Sequence, residues 1–139
     1  MLQIKKMKGE AILEYLDTED FPFFQHQNEK SPNVVNDTYL LFIDNDEVVA
    51  YISWRANDWD WYEEEGFDDP NLIHLTNFEV AESLRGKGLG RAVLEYTLKD
   101  VLKDKNIFLQ ANTRELITTY KGYGFNLVDE EAGNLMTNF

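Results

Sequence analysis

The chain has no cysteine, which excludes disulfides, thiolate metal ligands and a cysteine nucleophile, and a reducing compartment is the expected one. It has no apolar run near the roughly 20 residues that span a bilayer. The N-terminal "MLQIKKMKGE" carries lysines with no apolar stretch behind them, so no secretory signal is expected, and the cytoplasm is the expected location. Basic residues are scarce: 13 Lys and Arg stand against 26 Asp and Glu, for a formal net charge of −13. Nucleic acid and anionic lipid both call for a basic surface, so neither is expected as a partner. An acidic surface attracts cations, amines foremost, although the same charge can serve solubility alone. No grouping of His, Asp and Glu has metal-ligand spacing, and no metal is expected.

What is present suits a packed core. The 139 residues are 43% hydrophobic and 14% aromatic, enough for one domain spanning 1–139. "MLQIKKM" reads as a strand and "GEAILEYLDTED" as a short amphipathic helix with Ile12, Leu13 and Leu16 inward. "FPFFQHQNEKSPNVVND" holds two prolines and reads as loop with room for one helical turn, and with His26 at its surface. "TYLLFI" and "VVAYISW" flank the turn signal "DNDE" and predict a hairpin. A second long loop, "RANDWDWYEEEGFDDPN", precedes the apolar strand "LIHLTNFEV". "GLGRAVLEYTLKDVLKDK" predicts a helix with Val93, Leu94, Leu98, Val101 and Leu102 as its stripe. "NIFLQA" is a strand, "TRELITTYK" a helix, and "FNLVDE" and "NLMTNF" are final strands. The order β-α-loop-β-β-β-α-β-α-β-β is that of an α+β domain around one mixed sheet.

One stretch runs against the acidic composition. Residues 85–91, "RGKGLGR", hold three glycines and three basic residues between a strand and a helix. Such a junction binds phosphate: the first helical N–H groups are unpaired, the dipole is positive there, and glycine lets an anion approach the backbone. Neither a P-loop nor a G-x-G-x-x-G dinucleotide fingerprint is present. What remains is R-x-x-G-x-G, with Arg85, Gly88 and Gly90 at its fixed positions.

In its context, "FEVAESLRGKGLGRAVLEY" resembles the acetyl-CoA-binding segment of the GNAT superfamily of N-acetyltransferases. "LITTYKGYGF" resembles that family's second signature, with Tyr120 followed by Gly124 and Phe125. The close resemblance covers residues 72 to 129; earlier residues match in element order only. It implies a mostly antiparallel mixed sheet flanked by helices on both faces. It also implies acetyl-CoA as cosubstrate, with its pyrophosphate on Arg85, Gly86, Lys87, Gly88, Leu89, Gly90 and Arg91, and its pantetheine along Phe78, Glu79 and Val80. The backbone near Val80 would polarise the thioester carbonyl.

The same resemblance makes Tyr120 the general acid. The general base is His74 or Glu79. Strand alternation puts His74, Thr76, Phe78 and Val80 on one face, and Glu79 on the other unless a bulge intervenes. Family members often carry Asn seven residues before the tyrosine; here Thr113 stands there and Asn112 one place earlier, so either one makes that cofactor contact. The acceptor would lie against "DTEDFPFFQHQ" and "NDWDWYEEEGFDD", whose Trp59, Trp61 and Tyr62 sit among carboxylates and suit a cationic amine. A dimer contact fits the same loop, and both monomer and homodimer are open. The expected activity is acetyl transfer from acetyl-CoA to a primary amine in a ternary complex: a small amine, a polyamine, an aminoglycoside or a peptide amine. A non-catalytic CoA-binding or acidic interaction module on the same fold is the alternative.

Overall fold

The runs "TYLLFI" and "VVAYISW" become strands β2 (Thr38–Asp44) and β3 (Glu47–Ala56), paired antiparallel. Asn45 and Asp46 between them have φ of 52° and 65°. Both values lie in the left-handed region that a two-residue hairpin turn demands, and Asn and Asp tolerate it. The computed structural model describes residues 2–56 and 71–139, apart from the side chains of Pro32 and Asn33. Two compact units divide the chain: Met1–Trp54 with Asn77–Val101, and Arg55–Thr76 with Leu102–Phe139. Strands hydrogen-bond in the order β1-β2-β3-β4-β5-β7-β6, a single mixed sheet of the expected α+β class. Strand β4 (Ile73–Val80) carries the chain from the second unit into the first.

In the first unit, β1 (Gln3–Met7) pairs antiparallel with β2. A 3₁₀ turn at Glu10–Ile12 runs into α1 (Leu13–Leu16), which buries Ile12 and Leu16 as expected and leaves Leu13 half-buried. The segment expected to be loop with at most one helical turn is instead the nine-residue α2 (Pro22–Lys30) followed by a 3₁₀ turn at Pro32–Asn36. Pro22 sits in the first turn, where its fixed φ fits and its missing N–H costs nothing. The first two N–H groups after it find their acceptor on a distant strand, as described below.

Helix α2 docks on the sheet through aromatics. The Phe24 ring meets Tyr39 and Tyr51 edge-on at centroid distances of 6.0 and 5.9 Å, and Phe21 meets Tyr51 at 5.6 Å. Alternation sends Phe42 to the other side of β2, where it meets Tyr96 of α3 (Leu89–Tyr96) at 6.0 Å. The first unit therefore carries helices on both sheet faces.

The expected helix over 88–105 is regular only to Tyr96 and continues as a π-helical turn at Thr97–Val101. At that transition the buried Thr97 hydroxyl donates to the Val93 carbonyl at 2.8 Å, a bond that competes with the backbone ladder.

In the second unit, β4 runs parallel to β5 (Ile107–Gln110), with Ile73 opposite Ile107 and His74 opposite Phe108. Helix α4 (Arg114–Gly122) follows, then β6 (Asn126–Asp129) and β7 (Leu135–Thr137). Strand β7 inserts between β5 and β6, antiparallel to both. Leu72, Phe108 and Leu135 form a buried cluster with Ala132 against it.

Phe24 is fully buried among aromatic edges, so truncation leaves a cavity that the neighbouring rings fill poorly. Phe24→Ala is expected to lower unfolding free energy by about 3–5 kcal/mol in urea titration, and Phe24→Leu by distinctly less.

Candidate functional site

The glycine turn is built by two different demands. Gly86 and Gly88 have φ of 82° and 79°, a region that costs an L-residue about 1–2 kcal/mol. A Cβ at either would meet nothing within 4 Å, so these glycines are required by backbone conformation while the space over them stays open. Gly90 has an ordinary φ but no room: a Cβ there would lie 3.3 Å from Phe78 Cζ and 3.5 Å from Val80 Cγ2. It lets α3 approach β4. Gly88 is the N-cap of α3, and its carbonyl accepts from the Ala92 N–H at 3.4 Å. The N–H groups of Leu89, Gly90 and Arg91 thus open the helix with no intrahelical partner. Lys87 and Arg91 are exposed beside them. Open positive backbone plus two solvated cations fits a phosphate-bearing ligand.

Arg85 is exposed but engaged: its Nε donates to the Val80 carbonyl at 3.2 Å and its Nη2 to Glu79 Oε2 at 3.4 Å. Phe78 and Val80 face Gly90, whereas Glu79 reaches the N-terminus of α2, so strand alternation places them as the sequence implied. Glu79 is buried, and its carboxylate accepts from Phe23 N–H (2.9 Å), Phe24 N–H (3.0 Å), the Tyr51 hydroxyl (2.9 Å) and Arg85. Burial, followed by the Glu79 charge, pushes the Tyr51 hydroxyl well above its ordinary value, so it stays a donor. Sequence reasoning missed Tyr51 and the α2 amides. The only local hint was Pro22, a common first helical residue.

In the second unit, His74 is half-buried and stacked on Phe108, with centroids 4.4 Å apart and planes 16° apart. Tyr120 is buried on α4. Gly124 at φ 93° reverses the chain, the Phe125 N–H returns to the Tyr120 carbonyl at 3.1 Å, and the two rings meet edge-on at 5.7 Å. That explains the Tyr120, Gly124 and Phe125 pattern locally. Burial pushes the Tyr120 hydroxyl up to about 12. Thr113 caps α4 by accepting the Leu116 N–H at 3.2 Å, and Asn112 before it is exposed. His26 is exposed on α2, as expected. Trp59, Trp61 and Tyr62 lie outside the described residues.

A glycine turn ahead of a helix, on a mixed sheet of this strand order, matches the acyl-CoA N-acyltransferase fold. The sequence profile of the Acetyltransferase (GNAT) family matches residues 5–125, and the chain belongs to that family. Escherichia coli ElaA shares the fold at TM-score 0.67 and 22% identity, over 99% of this chain and 97% of that one. A crystal structure of AtaTR bound with AcCoA matches at TM-score 0.65 and 15% identity, over 98% and 91%. No curated protein sequence matches significantly.

AtaT complexed with acetyl-methionyl-tRNAfMet also shares the fold, at TM-score 0.60 and 16% identity over 99% of this chain and 94% of that one, as does a KacTA-DNA complex, at TM-score 0.63 and 16% identity over 99% and 92%. Chains of this fold thus occur in complexes with tRNA and DNA, so the exclusion of nucleic acid does not stand, and the expectation of an amine acceptor is left without support from these relatives. Net charge sums over the whole chain, whereas phosphate contacts are local, and "RGKGLGR" shows how basic a short stretch of this acidic chain can be. Among the described residues, no helix is long and apolar enough to cross a membrane.

Gly88→Ala is expected to cost about 1–2 kcal/mol in chemical denaturation through backbone strain alone. A Tyr120 value raised from 10.0 to about 12 adds stability that is whole below pH 10. It drains away as pH rises from 10 towards 12, where the unfolded chain loses the proton first. Wild type should therefore lose more stability than Tyr120→Phe between pH 9 and pH 11.5 in urea titrations.

Proposed function

We propose that this protein is an acetyl-CoA-dependent N-acetyltransferase, acting in the cytoplasm as a single domain and transferring acetyl to an amino group by direct attack. The observation that carries the reading is the pair of left-handed glycines, Gly86 and Gly88, with open space over their backbone at the start of α3. Acetyl-CoA supplies an activated thioester when bound. Leu89, Gly90 and Arg91 would present backbone N–H groups to its pyrophosphate, with Lys87 and Arg91 offsetting charge, and Phe78, Glu79 and Val80 lining the pantetheine. Asn112 is the better candidate for the remaining cofactor contact, because the Thr113 hydroxyl is committed to its helix cap.

An alkylammonium near pKa 10 must lose a proton before it attacks. Of the two candidate bases, His74 is favoured: imidazole titrates near neutrality, whereas the Glu79 lone pairs already accept four donors. As the amine nitrogen bonds to the acetyl carbon the C–S bond breaks, and the departing sulfur takes a proton from the Tyr120 hydroxyl. Burial keeps that hydroxyl protonated throughout the physiological range.

Calorimetry and thermal shift with acetyl-CoA test the cradle. Ligand at 100 times its dissociation constant adds about 2.7 kcal/mol to native stability. Wild type and Tyr120→Phe should bind, and Gly88→Glu should not. Over a panel of amines that includes aminoacyl-tRNA, Tyr120→Phe should lower kcat by about 10²–10⁴ with little change in the dissociation constant of acetyl-CoA. Binding without turnover on any acceptor supports the non-catalytic alternative, and failure of wild type to bind removes the enzyme reading.

A further inference from the structure

Helix α2 opens without a cap of its own. Its N-cap residue is Phe21, which has no side-chain acceptor, and Pro22 has no N–H. The next donors, Phe23 N–H and Phe24 N–H, are the ones a helix leaves unpaired, and burying them unsatisfied is costly. Both are met by Glu79, more than fifty residues away: Phe23 by Oε2 at 2.9 Å and Phe24 by Oε1 at 3.0 Å. A negative charge at that end also suits the helix dipole. The same carboxylate takes the Tyr51 hydroxyl on Oε1 and Arg85 Nη2 on Oε2. Arg85 in turn fastens the glycine turn to β4 through Val80. A direct main-chain bond runs alongside, from Glu82 N–H to the Asp20 carbonyl at 2.9 Å.

We propose that Glu79 is a positioning residue that couples the phosphate-binding turn at Arg85 to the first turn of α2, so that a change at the turn is felt at the Phe23 and Phe24 amides. Four donors on one ionised carboxylate occupy the lone pairs that a general base would need. The 3.4 Å Arg85 contact is longer than a strong charge-assisted bond, so the guanidinium modulates the clamp and the main-chain donors hold it. The inference deepens the acetyltransferase reading, because "DTEDFPFFQHQ", the segment that holds the start of α2, is where that reading puts one acceptor wall. Donor binding at the turn would then order the acceptor side through a built-in contact.

NMR-detected hydrogen exchange on the full chain, without ligand, gives a readout independent of the enzyme reading. Glu79→Gln replaces an acceptor oxygen with an amide donor facing Phe23 N–H or Phe24 N–H, and exchange at one or both should rise about tenfold. Arg85→Gln touches neither amide, yet should raise exchange there about threefold, with Phe108 in the other unit unchanged. If Arg85→Gln leaves both amides at wild-type rates, the coupling is overturned. Acetyl-CoA supplies the second arm: where it binds, protection at Phe23 and Phe24 should rise, and unchanged protection on binding overturns the proposal. Where it does not bind, the acetyltransferase reading falls while the Arg85→Gln result still decides the coupling. Kinetics separate positioning from base chemistry. Glu79→Gln should raise the KM for acetyl-CoA and leave the acidic limb of the kcat–pH profile in place. Loss of that limb with unchanged acetyl-CoA affinity would make Glu79 the base.

Discussion

A carboxylate buried in a protein is tolerable only when its charge and its lone pairs are met, and Glu79 is the point on which the first unit turns. Its oxygens gather two main-chain amides, a phenol and a guanidinium from three separate stretches of chain. Each partner has a structural need of its own. The amides are the orphans of α2, Tyr51 is a buried hydroxyl on β3, and Arg85 closes the turn after β4. Removing the acid would strand two buried donors, the Phe24 amide and the Tyr51 hydroxyl, and a part-buried third at Phe23, which costs more than any single bond is worth when made.

The glycine turn obeys a second constraint, geometric rather than electrostatic. Gly86 and Gly88 are held at φ values that other residues resist, and their outer side is empty. Gly90 is held by crowding, with Phe78 and Val80 against the place a Cβ would take. A motif written as identical letters therefore contains two requirements. One leaves the space over the turn open; the other sets α3 close to β4, so that the helix begins at that open surface. Either alone leaves an ordinary turn.

Legibility followed the range of the interactions. Strands β2 to β5 and their hairpin could be read because apolar runs and Asn45–Asp46 act within a few residues of themselves. The glycine turn at 85–91 and the Tyr120–Phe125 pair were legible for the same reason. Helix α2 was not. Its first turn is completed by a carboxylate on β4 and its aromatics are ordered by Tyr39 and Tyr51, so nothing within its own window announced it. The π turn at Thr97–Val101 escaped because apolar spacing does not register a hydroxyl bonding back to Val93. The exclusion of nucleic acid failed for a related reason: a net charge has no address.

If Tyr120 serves as the proposed general acid, what it can do follows from its burial. A phenol raised to about 12 is a weaker acid than a thiol, whose ordinary value is about 8.5, so complete transfer of its proton to a free thiolate is uphill. The same rise guarantees that the proton is present at every pH at which the protein works. What such a group does best is donate a hydrogen bond that strengthens as negative charge grows on the departing sulfur, with the proton crossing while the amine nitrogen is losing its own. The edge-on contact with Phe125 and the reversal at Gly124 hold the ring in place. An acid this weak is useful only when its partner's charge develops beside it, so under the proposed mechanism a poorly seated donor would leave Tyr120 inert.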